Sequence, residues 1–276
     1  MPPNPFKRAL IAQVRSVFND SAKGEKPVVR QPDGLFGPQS VCWRVHGDVV
    51  TMMVGGVSAL LLQMLHPAVL AGVWDHSAFR QDMLGRLRRT ARFIAVTGYD
   101  SREAAEAAIQ KVREVHLRVR GFLPDGTPYA ANDPRLLAWV HVTEAVCFLD
   151  AWIRYAEPRM PLADQDRYFA EFAIIAEALG ADPVPRSRAE AEALIQEMRA
   201  ELVADARTRE VARLVLAQPA PSLSVKPFQA MIFQAAVDLL PAWAREMHAL
   251  SGPGIAMPVV RTGTAGIASA FRWAFR

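Results

Sequence analysis

Cysteine is nearly absent: two residues, Cys42 and Cys147, occur in 276. They supply neither a disulfide framework nor a zinc site, and read as buried free thiols in a reducing compartment. Lysine is scarce, and the arginines are scattered between acids. With a net charge of only +4, the chain lacks the concentrated basic face of a nucleic-acid binder, so no nucleic-acid partner is expected. No run of four to eight residues shows strand alternation between hairpin turns. No fixed repeat or long linker divides the chain. Met1-Pro-Pro-Asn-Pro has neither the charged nor the apolar region of a signal peptide, and a cytoplasmic location is expected. Several chemistries lack their motifs. There is no P-loop and no His-Glu-x-x-His zinc helix. There is no Gly-x-Ser-x-Gly elbow. No paired Glu-x-x-His supports a di-iron bundle, and no Cys-x-x-Cys-His would attach a haem covalently.

What is present is apolar and helical. Hydrophobic residues make up 51% and charged residues 22%, enough for a substantial core. The fold class expected is all-α, one multi-helix globular domain over residues 1–276 enclosing an apolar or cofactor pocket. From Val49 to Trp74 there is no Asp, Glu, Lys or Arg, a length that can span a bilayer. Gly55-Gly56, Gln63, His66-Pro67 and the acidic flanks Asp48 and Asp75 favour instead a buried central helix, with weak membrane association as the alternative.

Helices are predicted over Pro5–Asp20, Val49–Leu65 with a stop or kink at Pro67, and Phe79–Thr97 ending at Gly98. Further ones follow over Arg102–Arg120 capped by Ser101, and Asp133/Pro134 to Ala156. The series continues with Leu162–Leu179 closed by Gly180, and Ser187 to Val203. Shorter helices are predicted near Thr208–Ala217, Pro227–Leu239 and Ala242–Leu250, followed by an apolar stretch over Ala265–Phe275. Trp43–His46 is read as extended.

Four of the six histidines fall between positions 66 and 141. His66 precedes Pro67, which frees a backbone carbonyl and can aim the imidazole into a cavity; a capping role explains it equally. Arg86 and Thr90 share a helical face with Arg89 beside it, a set that can bind an anion or polarise an oxygen; the plainer reading is a solvated basic face. His116 sits among Val112, Val119 and Arg120 and can ligate a metal or haem iron; alternatively it is a core histidine bonded to a carbonyl. His141 stands one turn before Glu144, a spacing that suits a structural His–Glu pair.

Taken in order, the motifs form a recognisable series. It runs Gly34-Leu-Phe-Gly-Pro38, Trp43-Arg-Val-His46-Gly-Asp48, Leu65-His-Pro67 and Asp75-His-Ser77. It continues through Gly85-Arg-Leu-Arg-Arg-Thr90, Val115-His-Leu-Arg-Val-Arg-Gly121, Pro124-Asp-Gly-Thr-Pro-Tyr129, Asp133-Pro134 and Trp139-Val-His141. This series, over residues 34–141, resembles the family of the fungal MpaB oxygenases and the bacterial latex-clearing protein, a rubber oxygenase. The resemblance implies an all-α domain holding haem b, with iron and O2 acting on an apolar, unsaturated small molecule, in the rubber enzyme by oxidative cleavage of a carbon–carbon double bond. It implies His116 as the iron ligand. Arg86 and Thr90 would serve the chemistry, with Arg86, Arg89 and His141 toward the cofactor and His66 as a substitute base. Two departures are visible. Arg89 stands where the rubber enzyme has a Lys able to close the iron, and no carboxylate occurs between Asp48 and Asp75 where a base is expected. A non-catalytic haem- or lipid-binding protein of the same fold, and a haem-free enzyme using His66 and Arg86, are the competing readings.

Overall fold

The computed structural model describes Lys7 and residues 25–220, 222–223 and 225–275. The helix expected over Pro5–Asp20 otherwise lies outside them. The described residues form an all-α domain with one small hairpin. In chain order the helices are α1 (Val41–His46), α2 (Val49–Gln63), α3 (Pro67–His76), α4 (Met83–Tyr99) and α5 (Arg102–His116). The hairpin β1 (Arg120–Phe122) and β2 (Pro128–Ala130) follows. Then come α6 (Pro134–Tyr155), α7 (Leu162–Leu179), α8 (Arg188–Met198), α9 (Ala206–Leu216), α10 (Lys226–Leu239), α11 (Ala242–Met247) and α12 (Met257–Phe275).

Most boundaries follow from local chemistry. Asp48, Asp82, Ser101, Asp133, Ser187 and Asp205 each accept a bond from a backbone N–H of the helix they precede, satisfying donors that a helix start leaves bare. Gly180 closes α7 in the left-handed conformation, at φ 96°, where a side chain would be strained. Pro67 separates α2 from α3, and the two helices meet at 103°.

Four expectations need correction. Trp43–His46 is helical, because the Ser40 hydroxyl caps α1 through Trp43 N at 3.1 Å. The helix predicted to Arg120 stops at His116, because Val119 already accepts from Ala131 N at 2.8 Å and the chain enters β1. That antiparallel hairpin, with Gly121 opposite Tyr129, was not foreseen; its strands are too short to show alternation. Gly98 does not end α4, which runs on to Tyr99 with Asp100 as its cap. The Gly98 carbonyl takes the Trp43 indole at 2.6 Å.

α2 is the centre of the molecule. It is covered by α6, α10 and α12 and touches α1, and eleven of its fifteen residues are buried. α6, long and apolar enough to cross a membrane, is likewise mostly buried within the fold, with 61% of its most apolar window covered. α2 and α6 meet most closely at Gly55, where a Cβ would lie 2.7 Å from the Cys147 carbonyl oxygen and 2.9 Å from the Phe148 Cα. At Gly56 the nearest atom to an added Cβ is a Phe148 ring carbon at 3.6 Å, an ordinary contact. The two neighbouring glycines therefore respond oppositely to alanine. Gly55→Ala is expected to lower stability by about 1–3 kcal/mol, the cost of overpacking against backbone. Gly56→Ala is expected to be neutral or to add up to about 1 kcal/mol from helix propensity. Urea unfolding of the two variants checks the contrast.

Candidate functional site

α4 and α5 form a helical hairpin turned at Asp100–Ser101 and packed against each other. Each rises about 1.5 Å per residue. Arg86, near the start of α4, and His116, the last residue of α5, are therefore about equally far from the turn. The hairpin brings them to the same end.

Both are half-buried polar groups without a charged partner among the described residues. Arg86 reaches only the Ser77 hydroxyl, at a long 3.5 Å, and no carboxylate pairs with it among the described residues. Burial, with the neighbouring Arg89 charge, lowers its pKa, although a guanidinium stays protonated. His116 makes no hydrogen bond through its ring among the described residues, and burial lowers its pKa. It is thus a neutral imidazole with its nitrogens free, the form that ligates a metal. Beside this pair, α4 buries only Met83, Thr97 and Gly98. Leu87, Phe93 and Ile94 touch the core but are only partly covered, which leaves apolar surface along α4, with Leu87 beside Arg86.

The other residues singled out from sequence lie differently. Thr90 is exposed and its hydroxyl bonds back to the Arg86 carbonyl at 3.4 Å. Arg89 is exposed, with Asp82 at 3.6 Å. His66 caps α3, its Nδ1 accepting from Ala68 N at 3.3 Å. Its Nε2 lies 3.4 Å from Glu201, but burial outweighs that carboxylate and lowers the His66 pKa. Glu201 belongs instead to Arg135, at 2.6 and 3.1 Å. A surface groove of about 350 Å³ between Leu35–Ser40 and Arg167, Glu171 and Ile174 of α7 contains none of these residues.

A second polar group stands in the interior. His141 is buried, packs its ring on Phe172 at 4.9 Å, and leaves Nε2 without a partner. The expected His141–Glu144 hydrogen bond is not formed. The nearest polar influence on Glu144 is the Gln63 side chain of α2, which opposes the effect of burial on its pKa. On the other side of Phe172, His46 bonds Tyr168 Oη at 2.9 Å. Burial lowers His141 to about 4 and His46 to about 3, and raises Glu144 to about 7. Glu144 keeps part of its surface uncovered although burial raises its pKa. Sequence reasoning had treated Glu144 only as a partner for His141 and passed over Gln63. The available signal was a carboxylate in an apolar helix with no cation three or four residues away. No group of three or more His, Cys, Asp or Glu among the described residues is placed to hold a metal ion.

A helical fold with this site now meets the comparison with known families. A family model described as ER-bound oxygenase mpaB/B'/Rubber oxygenase, catalytic domain, matches residues 43–273. The match covers most of the chain, which belongs to this family of oxygenase catalytic domains. No curated protein and no solved structure was found to match it.

The raised pKa of Glu144 has a consequence for stability. The folded state holds a proton that the unfolded chain releases near 4.5, so stability is lost as pH rises from 4.5 to about 7 and is level above that. Glu144→Gln lacks this titration. Relative to the parent it should gain about 3 kcal/mol across that window, measured by unfolding at pH 4.5, 6 and 7.5. A difference independent of pH would show the carboxyl to be solvated.

Proposed function

We propose that this chain is a haem-b-dependent oxygenase that uses O2 on an apolar, unsaturated small molecule, with cleavage of a carbon–carbon double bond as the reaction. Family membership supports the oxygenase class. The observation that carries the cofactor is the pairing, at one end of the α4–α5 hairpin, of an unbonded neutral imidazole with a guanidinium that has no carboxylate.

The residues present fit the group. A haem carries its own ring nitrogens, so one histidine from the protein would suffice to hold it. His116 is the ligand of this proposal, and Arg86 the counter-charge for a propionate. Leu87, Phe93 and Ile94 supply partly covered apolar surface for the macrocycle. When bound, haem supplies the redox-active iron that O2 chemistry requires.

The protein's own contributions are positional and electrostatic. Burial holds His116 neutral, so no proton competes for its ligating nitrogen. Ser77 orients Arg86 from the α3–α4 connection. The apolar walls exclude water and favour an apolar substrate. Arg89 lies in solvent near Asp82, and a guanidinium cannot serve as a neutral amine ligand. Arg89 would therefore not add a second ligand to a bound haem. His66, engaged as a cap, contributes architecture in this scheme. A cytoplasmic location is part of the same proposal.

The absorption spectrum of the purified protein tests it. A Soret band and about one iron per chain are expected, and a colourless, iron-free protein after haem supplementation defeats the reading. His116→Ala should lose at least about tenfold in haem retention. An unchanged Soret band in that variant would move the ligand elsewhere. O2 uptake with terpenoids or polyunsaturated lipids separates an oxygenase from a carrier.

A further inference from the structure

His141 and Glu144 lie one turn apart on α6 and so share a helical face. His141 is 7% exposed, and its Nε2 has no hydrogen-bond partner. Such an orphan is rare in folded proteins and calls for a reason. Glu144 has the Gln63 side chain near it, and no cation pairs with it among the described residues. Gln63 also donates to the Val140 carbonyl at 3.3 Å, which fixes its amide over this turn of α6.

The surroundings are otherwise apolar or neutral. α2 brings Gln63 and Ser58 and carries no charged residue from Val49 to Gln63. α7 brings Phe172 and Tyr168, the latter bonded to His46 of α1. α6 itself adds Cys147, whose thiol burial keeps protonated. Three groups able to donate or accept hydrogen bonds are thus held without a fixed positive charge, and one of them is unsatisfied.

We propose that His141, Glu144 and Gln63 form a polar subsite that receives one uncharged oxygen function, a hydroxyl or a carbonyl, on an otherwise apolar ligand. The inference rests on reading the chain as an enzyme for an apolar molecule and narrows that ligand's class. A neutral imidazole offers one N–H and one lone pair, and the amide offers both kinds of partner, which together match a hydroxyl. A carboxylate ligand would meet the Glu144 carboxyl in apolar surroundings. A hydrocarbon would leave the His141 nitrogen bare, at the cost of an unmade bond.

Calorimetric titration of the purified protein with three terpenoids of one chain length tests this: geraniol, its hydrocarbon counterpart myrcene, and geranylamine. Geraniol should bind about tenfold or more tightly than myrcene, the size of one well-made hydrogen bond. His141→Phe and Glu144→Leu should each remove most of that preference while leaving myrcene affinity within about threefold. Should either variant fail to fold, as judged by circular dichroism, Gln63→Leu takes its place with the same expected loss. Equal binding of geraniol and myrcene overturns the subsite. So does no binding of geraniol, or a preference that survives the substitutions. Tighter binding of geranylamine than of geraniol overturns the uncharged class. The outcome is independent of the haem reading. A missing Soret band with the preference intact sinks the cofactor and keeps the subsite; a Soret band without preference does the reverse.

Discussion

The structure depends on the close approach of α2 and α6 at Gly55. Two helices can come this near only where one of them has no side chain, and here the backbone of α2 rests on the Cys147 carbonyl and Phe148 of α6. That contact sets the depth of everything attached to either helix. It places Gln63, at the end of α2, over the turn of α6 that carries Val140 and Glu144. It also explains why an apolar stretch long enough for a membrane is not organised as one span. The stretch is broken at Pro67 into helices that meet at 103°, and its first half is wrapped by α6, α10 and α12.

The site region shows the same economy of polar groups in an apolar setting. Burial alone keeps His116, His141 and His46 neutral, while it holds a proton on Glu144 to about pH 7. Each shift has the same physical origin, the loss of hydration by a charged form, and differs in sign only because acids and bases charge in opposite directions. Arg86 cannot respond by losing its proton, so its only relief is an anion. In a family of oxygenase catalytic domains, a half-buried guanidinium and a free imidazole at one end of a hairpin are the chemically unfinished parts of the fold.

Much of this was legible in the chain. Caps at Asp48, Ser101, Asp133 and Ser187, with the glycine at 180, mark helix ends through bonds made within a few residues. The ordered motifs from Gly34 to His141 pointed to the family. What escaped was decided by distant contacts. Six residues of α1 show no period, and three-residue strands show no alternation. The three-residue spacing of His141 and Glu144 gave their shared face but not their partners. Glu144 has near it an amide 81 positions earlier in the chain, at Gln63, and His141 packs on a ring of α7. His66 illustrates the converse. Its sequence context allowed both a site and a cap, and the structure shows the local bond to Ala68 N.

Asp48 caps the start of α2 and also takes a charge-assisted bond from Arg272 of α12. The central helix is thus tied at its first turn to a residue near the end of the chain, and part of its apolar flank is covered by that same last helix. During synthesis α12 emerges about 200 residues after α2. Until it does, α2 stands with one side uncovered and with its capping carboxylate unpaired. In that interval the protein is more exposed to aggregation and to chaperones, and a chain cut before α12 would keep that vulnerability permanently.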